Sequence, residues 1–303
     1  MATQMTGVTR TPTGPAEGKP RMKGRHLVMM SLGSAIGTGL FVGSGKGVAA
    51  AGPATLMAYV VAGLLVIAIM YMLGEMVAAH PDSGAFSVYT SRAMGPAAGF
   101  AMGWVWWIEL VIVVAAEAIA AASTLVAMWP VAPVWLLTLI FLVVLTAVNL
   151  LGVDRFGEFE FWFALFKVAA VLVFLVVGVL LICGVLAAPA AGASNLVGHG
   201  GFMPNGWSGV AAALLMVTFS FGGIEIMAVA AAETEDPARN VSRAVRTIVW
   251  RILLFYMGSV AVMVIAVPWD DPKLGTSPFV AVLDRAGIPA ASEIMTLVIV
   301  LAL

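Results

Sequence analysis

Residues 27–50 read LVMMSLGSAIGTGLFVGSGKGVAA, and this stretch decides the fold. It is long and apolar enough to cross a bilayer, whose core of about 30 Å requires roughly 20 apolar residues as a helix. Its middle contains Gly33, Gly37 and Gly39, although glycine weakens a helix interior. The stretch therefore predicts a membrane helix with an irregular segment halfway along it.

The remainder of the 303-residue chain has the same apolar character. Hydrophobic residues make up 62% and charged residues 10%, whereas charged residues make up about 25% of ordinary soluble domains. Further predicted spans cover residues 53–79, 97–128, 132–152, 159–187, 207–232 and 244–267. The runs lack the period-two alternation of a membrane barrel, so we predict an all-α integral membrane protein.

An eighth apolar run begins near Ala290 and stops at Leu303. At a rise of 1.5 Å per residue this run is too short to cross a bilayer. We therefore expect that the sequence is truncated within helix 8, and that it is either a fragment or a real truncation.

Lysine and arginine positions predict the orientation. With the N-terminus in the cytoplasm, 11 of them fall on the inner side and only Lys46, Lys273 and Arg285 on the outer side. Because positive residues concentrate on the cytoplasmic side, we predict a cytoplasmic N-terminus and a plasma-membrane location. Residues 1–22 are predicted to be a disordered cytoplasmic tail and residues 23–303 the transmembrane domain.

Composition also limits the partners and cofactors. A net charge of -1 gives no reason to expect nucleic acid. The single cysteine, Cys183, excludes a disulfide framework and a cysteine-based zinc site. Clusters of histidine, paired serine and histidine, and phosphate-binding glycine loops are absent, so we expect no enzyme, no metal and no cofactor. The expected partners are the lipid bilayer and a small-molecule substrate.

Glycine recurs at the same depth in a second span. Gly222 and Gly223 follow Phe219-Ser-Phe in the sixth span, and Gly37 and Gly223 both lie about 15 Å from the predicted inner surface. Close helix packing is one explanation of such glycines. Paired helix breaks around a substrate site are the other. Freed N–H groups bind a carboxylate and freed carbonyls bind an ammonium group, so a zwitterionic amino acid would match both.

Ionisable residues within the spans point to function, because each costs about 2.5–3.5 kcal/mol at a helix centre. Lys167 and Glu225 share a predicted depth of about 12 Å. Lys167 either extends to the inner interface, forms a structural ion pair, or loads and releases a proton. Glu117 and Glu109 are candidates to line a cavity, whereas Glu75 is expected at the solvated inner end of its span.

Motifs throughout residues 22–303 resemble those of the amino acid transporter family within the amino acid, polyamine and organocation superfamily. They include Ile36-Gly-Thr-Gly-Leu-Phe41, Pro81-Asp-Ser-Gly-Ala-Phe86, Gly157-Glu-Phe-Glu-Phe-Trp-Phe-Ala-Leu-Phe-Lys167 and Phe219-Ser-Phe-Gly-Gly-Ile-Glu225. The resemblance implies a permease of 12 helices that imports amino acids with protons, in which the first ten helices form two inverted five-helix repeats and helices 1 and 6 are discontinuous.

The resemblance also implies roles for individual residues. Gly37, Thr38 and Gly39 would hold the substrate carboxylate. The helix-six segment Phe219, Ser220 and Phe221, together with Ala35, would complete the substrate site, with carbonyls near Ala35, Phe219 and Phe221 binding the amine and Phe219 acting as a gate. Lys167 and Glu225 would couple transport to protons, and Glu117 is a further acid that could line the cavity.

These motifs do not identify the substrate. Residues 157–167 and 200–206 look most like permeases for 4-aminobutyrate, but similar segments occur in carriers of proline and aromatic amino acids. The alternatives to proton symport are an exchanger of amines or polyamines with the same fold, and a membrane sensor or truncated remnant without transport.

Overall fold

The computed structural model describes Gly33, residues 36–82, 84–150, 153–186 and 194–223, Ile226, Arg239, residues 245–247, Trp250, and residues 252–288 and 290–303. Within residues 153–186, side chains are described from Phe161 onward. The predicted tail at residues 1–22 lies outside the described residues. Every regular element of the described residues is a helix, so the predicted all-α class is confirmed.

Helices and helical turns make up most of the described residues. In chain order they are a π-helical turn Gly39–Gly43, α1 Ser44–Ala51, α2 Thr55–Ala79, α3 Ala85–Met94, α4 Pro96–Met128, α5 Val134–Asn149, α6 Val153–Ile182, α7 Ser194–Val197, α8 Gly206–Ser220, a π-helical turn Ile252–Met257, α9 Gly258–Ala266, α10 Pro272–Thr276, α11 Pro278–Ala286 and α12 Ala291–Ala302.

Helix length and composition agree with a membrane protein. Four stretches of the described chain are long and apolar enough to cross a membrane, namely Gly39–Ala79, Pro96–Met128, Phe161–Ile182 and Val245–Ala266. The first stretch contains two helices, because Gly52 interrupts it with a φ of 62° and a ψ of -145°. Val134–Asn149, Gly206–Ser220 and Ala291–Ala302 are shorter apolar helices.

Helix α8 packs against α1 and α2, while α4 contacts α3, α5 and α12. Helix α6 contacts α9, α11 and α12. This arrangement brings the N-terminal π-turn against the end of α8 and leaves α4 beside both.

Aromatic side chains fill the centre between these helices. Phe41, Phe174 and Phe279 are fully buried, and the ring centroid of Phe279 lies 4.8 Å from that of Phe41 and 4.3 Å from that of Phe174. They join the first π-turn to α6 and α11. Since lipid tails are as apolar as these rings, close van der Waals packing rather than removal from water stabilises such contacts in a membrane.

Candidate functional site

The backbone near Gly37 is not a regular α-helix. Ile36 and Gly37 form a bend, and Thr38 precedes the π-turn Gly39–Gly43. The N–H groups of Leu40 and Phe41 both donate to the Gly37 carbonyl oxygen at 3.1 Å. A helical segment therefore begins here, and its N-terminal N–H groups give this end a partial positive charge that favours an anion.

A second irregular segment follows α8. That helix ends at Ser220, and Phe221, Gly222 and Gly223 form a turn. The N–H of Gly222 donates to the Phe219 carbonyl oxygen at 3.1 Å. Gly223 has a φ of 87°, a backbone conformation that residues with a side chain rarely adopt, so glycine is required there.

The two irregular segments touch each other. The Ser220 hydroxyl donates to the Gly39 carbonyl oxygen at 2.8 Å, and the Tyr256 hydroxyl donates to the Ser220 carbonyl oxygen at 2.9 Å. A Cβ atom at Gly39 would collide with the Cα atom of Ser220. Glycine at position 39 is thus required by the close approach of the two backbones.

Glu117 of α4 lies against the first irregular segment. A Cβ atom at Gly37 would collide with the Glu117 carboxylate, which accepts a hydrogen bond from the Thr38 backbone N–H. Lys167 of α6 is close enough to act electrostatically on Glu117. Gly33, by contrast, packs on another helix, since a Cβ there would lie 2.5 Å from Ala164 Cβ.

Glu117 and Lys167 line one cavity of about 400 Å³ between α4, α5, α6 and α12. The rest of its wall is apolar and includes Phe141, Phe163 and Leu301. A carboxylate and an amine in apolar surroundings interact more strongly than they would in water. Glu117 and Lys167 therefore form a charged pair within an apolar cavity, beside the first irregular segment.

A sequence model of the amino acid permease family matches residues 26–303. The chain belongs to the amino acid permease family. This permease-family chain is 48% identical over 287 residues to the gamma-aminobutyric acid permease of Bacillus subtilis, covering 94% of the chain and 61% of that relative. It is 49% identical over 287 residues to the aromatic amino acid transport protein AroP of Corynebacterium glutamicum, covering 93% of the chain and 62% of that relative.

A third relative is the gamma-aminobutyric acid permease of Escherichia coli, which is 45% identical over 282 residues, covering 92% of the permease-family chain and 60% of that relative. The chain thus spans about three fifths of the length of these curated relatives. All of them are named as permeases or transport proteins, which confirms the prediction that the chain is not an enzyme. Membership and the apolar helices together make it a multi-pass membrane protein.

The other residues predicted for the permease site have different surroundings. Thr38 and Ser220 are buried, and Phe221 is buried with its ring centroid 4.8 Å from that of Tyr256 and 6.0 Å from that of Tyr59. Phe219 is 46% exposed and does not join this aromatic group. Ala35 and Glu225 lie outside the described residues, so their predicted roles stay predictions.

Sequence reasoning missed Tyr256 and left Glu117 without a partner. A tyrosine hydroxyl within an apolar span requires a hydrogen-bond partner, and that signal could have identified Tyr256. The sequence predicts a shared depth for Lys167 and Glu225, and this stays a prediction because Glu225 lies outside the described residues. Among the described residues it is Glu117 that shares a cavity with Lys167.

Proposed function

We propose that the permease to which these residues belong carries amino acids across the plasma membrane by proton symport and alternating access, with its N-terminus in the cytoplasm. One observation carries the proposal: the Glu117 carboxylate accepts a hydrogen bond from the Thr38 backbone N–H, beside a lysine in the same cavity. Family membership and the names of the relatives support an amino acid as the substrate. The excess of positive residues on one side supports the orientation.

The substrate carboxylate binds at Gly37, Thr38 and Gly39, where backbone N–H groups favour an anion. The substrate amine binds carbonyl oxygens near Phe219 and Phe221. Inverted repeats and paired helix breaks are the arrangement in which such a midplane site alternates between the two sides of a membrane. The contact between Ser220 and Gly39 supports this arrangement, because it brings the two irregular segments into one site.

Competition for the Thr38 N–H couples the substrate to a proton. Glu117 accepts from this group in the structure, and a substrate carboxylate at the same place would face the Glu117 charge. Like charges at close range disfavour each other, so proton binding to Glu117 or retention of a proton by Lys167 favours substrate entry. By thermodynamic reciprocity the substrate then favours proton binding by the same factor.

The test is uptake into proteoliposomes that contain the product of the complete reading frame encoding this chain. Labelled 4-aminobutyrate, proline and phenylalanine would be offered with an inward proton gradient, and a parallel preparation would contain residues 1–303 alone. We expect accumulation of at least one of them above equilibrium and its collapse when a protonophore is added. Accumulation that is indifferent to the protonophore would contradict proton symport, and absence of uptake by the complete product would contradict amino-acid transport.

A second candidate, exchange of amines in the same fold, is favoured by one observation. Glu109 lines a second cavity beside the turn after α8, so the chain presents more than one acid to its cavities. An exchanger would load labelled amine in return for internal unlabelled amine without any proton gradient. Counterflow of labelled amine, together with no net accumulation when an inward proton gradient is imposed, would favour this candidate over symport.

A further inference from the structure

A second cavity, of about 370 Å³, lies between α2, α3, α4 and α8, away from Lys167. Its volume falls in the range of small-molecule pockets, which begins at about 300 Å³. Its wall is mostly apolar and contains Val66, Ile69, Met70, Phe86, Met102, Val105, Trp106, Glu109, Thr218, Phe221 and Gly222. The cavity therefore borders the turn Phe221–Gly223, whereas the Glu117 cavity borders the bend at Gly37.

Glu109 supplies the charge in this second cavity. It is the fourteenth residue of the 33-residue helix α4, which places it within about 5 Å of the helix middle. Its carboxylate lies 3.9 Å from where a Cβ atom at Gly222 would be. The structure gives Glu109 no ion pair with a cation among the residues it describes. An ionisable group at such depth is a functional candidate by default, because it is unfavourable in lipid.

Aromatic rings stand beside this carboxylate. The ring centroids of Phe86 and Trp106 are 6.0 Å apart at 83°, and both side chains line the cavity with Phe221. Ring faces attract a cation within about 6 Å, most strongly for tryptophan. An acid with aromatic walls is complementary to an organic cation rather than to an anion or a neutral apolar molecule.

We propose that the cavity of Glu109, Trp106 and Phe86 binds the primary ammonium group of a small ligand, with Glu109 as counter-ion. The inference rests on the proposed function in one respect: the ligand would be the transported substrate, an ω-amino acid or a diamine. Its distal ammonium group would lie between Glu109 and the backbone at Phe221, which lines the same cavity. A lipid amine is the other source of an ammonium group. The position of Glu109 near the middle of α4 favours the small ligand, since lipid headgroups lie at the membrane surface.

The experiment measures thermal unfolding of the protein in nanodiscs, with n-butylamine as the probe and n-butanol and ammonium chloride as matched comparisons. Butylamine should raise the midpoint by several degrees, and the comparisons at equal concentration should not. The shift should be lost in Glu109→Gln and kept in Glu75→Gln, which alters an exposed acid of α2 outside both cavities. Trp106→Leu should reduce the shift by at least half, and it serves as the test if Glu109→Gln does not fold.

Each alternative occupant has its own outcome. If nanodiscs with phosphatidylethanolamine abolish the shift that phosphatidylcholine and phosphatidylglycerol nanodiscs show, the occupant is a lipid headgroup and the inference is overturned. A shift in residues 1–303 that is absent in the product of the complete reading frame would mean that another protein segment fills the cavity. An equal shift with butanol, no shift in the wild type, or an undiminished shift in Glu109→Gln also overturns it.

These measurements do not require transport. A Glu109-dependent shift without any uptake would contradict the proposed function and leave the ammonium site standing. Proton-driven uptake without a Glu109-dependent shift would support the proposed function and overturn the ammonium site.

Discussion

Helix α4 carries two carboxylates eight residues apart, and each lies beside a different irregular segment of the backbone. Eight residues correspond to about 12 Å along the helix and about 80° around it. Glu117 contacts Gly37 and Thr38 and shares its cavity with Lys167. Glu109 lies beside Gly222 in a cavity with aromatic walls.

The difference between the two acids lies in what surrounds each charge. Glu117 has an N–H donor and a lysine at hand, so its charge is balanced from within the protein. Glu109 has aromatic rings and cavity volume beside it, so in the proposal above its charge is balanced by the ammonium group of a bound ligand. In the two proposals, Glu117 exchanges a proton and Glu109 binds a cation, and the variants below separate these two roles.

The largest effect is expected at Gly39, where the two irregular segments meet. Gly39→Val would drive a side chain into the Ser220 backbone and separate the two irregular segments. Uptake should fall at least about 100-fold, to background, since a misplacement of about 1 Å already costs that much. Gly103→Ala is the matched control, because its new Cβ would make an ordinary contact of 3.5 Å with Ser87. Normal substrate binding by Gly39→Val would contradict the site.

Next in size is the loss of the lysine on the Glu117 side. Lys167→Ala should abolish accumulation driven by the proton gradient and leave substrate exchange measurable, because exchange requires no net proton movement. Lys46→Ala removes an exposed lysine of α1 and should change neither rate. Exchange and gradient-driven uptake would be measured in the same proteoliposomes. Undiminished dependence on the gradient in Lys167→Ala would argue against the coupling role.

A double-mutant cycle sharpens the comparison between the two acids. Glu117→Gln and Lys167→Ala should be non-additive, with a coupling of about 0.5–3 kcal/mol in substrate affinity, since residues that share a network behave so. Glu109→Gln and Lys167→Ala should add within about 0.5 kcal/mol. The readout is the dissociation constant of the transported amino acid for each single and double variant. Equal coupling in both cycles would mean that the two cavities act as one site.

A smaller effect is expected from the hydroxyl that fixes the end of α8. Tyr256→Phe removes the donor to the Ser220 carbonyl oxygen and should lower the free energy of unfolding by about 1 kcal/mol. Tyr71→Phe, at an exposed tyrosine of α2, is the control and should have no measurable effect. Thermal unfolding in one detergent compares the two. A larger loss of stability in Tyr71→Phe than in Tyr256→Phe would contradict the role given to the Tyr256 hydroxyl.

The helices and the irregular segments could be predicted from the sequence, but the side-chain neighbours could not. Apolar length predicts spans, and the glycines at 37, 39, 222 and 223 marked the segments where the backbone leaves the α-helix. Depth along the helices predicts that Lys167 and Glu225 lie at the same level, and because Glu225 lies outside the described residues this stays a prediction. Distance along a helix does not give the direction in which a side chain points. The partnership of Lys167 with Glu117 depends on how α4 and α6 pack, and so does the separation of Glu109 into another cavity.

The smallest expected effect concerns the connection that leads to α12, whose last residues line the Glu117 cavity. Asp284 of α11 accepts hydrogen bonds from Ser292, in the first turn of α12, and from Lys273 Nζ at 3.1 Å. Partial burial of Asp284 opposes ionisation, but these hydrogen bonds and the lysine charge outweigh it, so the pKa of Asp284 is lowered from its ordinary 3.8.

A lowered pKa in the folded protein means that the charged form stabilises the fold. This contribution is present above the ordinary pKa of 3.8 and is lost as the pH falls through the lowered value. Asp284→Asn should therefore reduce stability at pH 7 by less than about 1 kcal/mol, because Lys273 is exposed to solvent. The difference should shrink below pH 4 and in high salt. A difference that grows as the pH falls would show that the pKa of Asp284 is raised instead, and that the Ser292 contact acts as a neutral hydrogen bond.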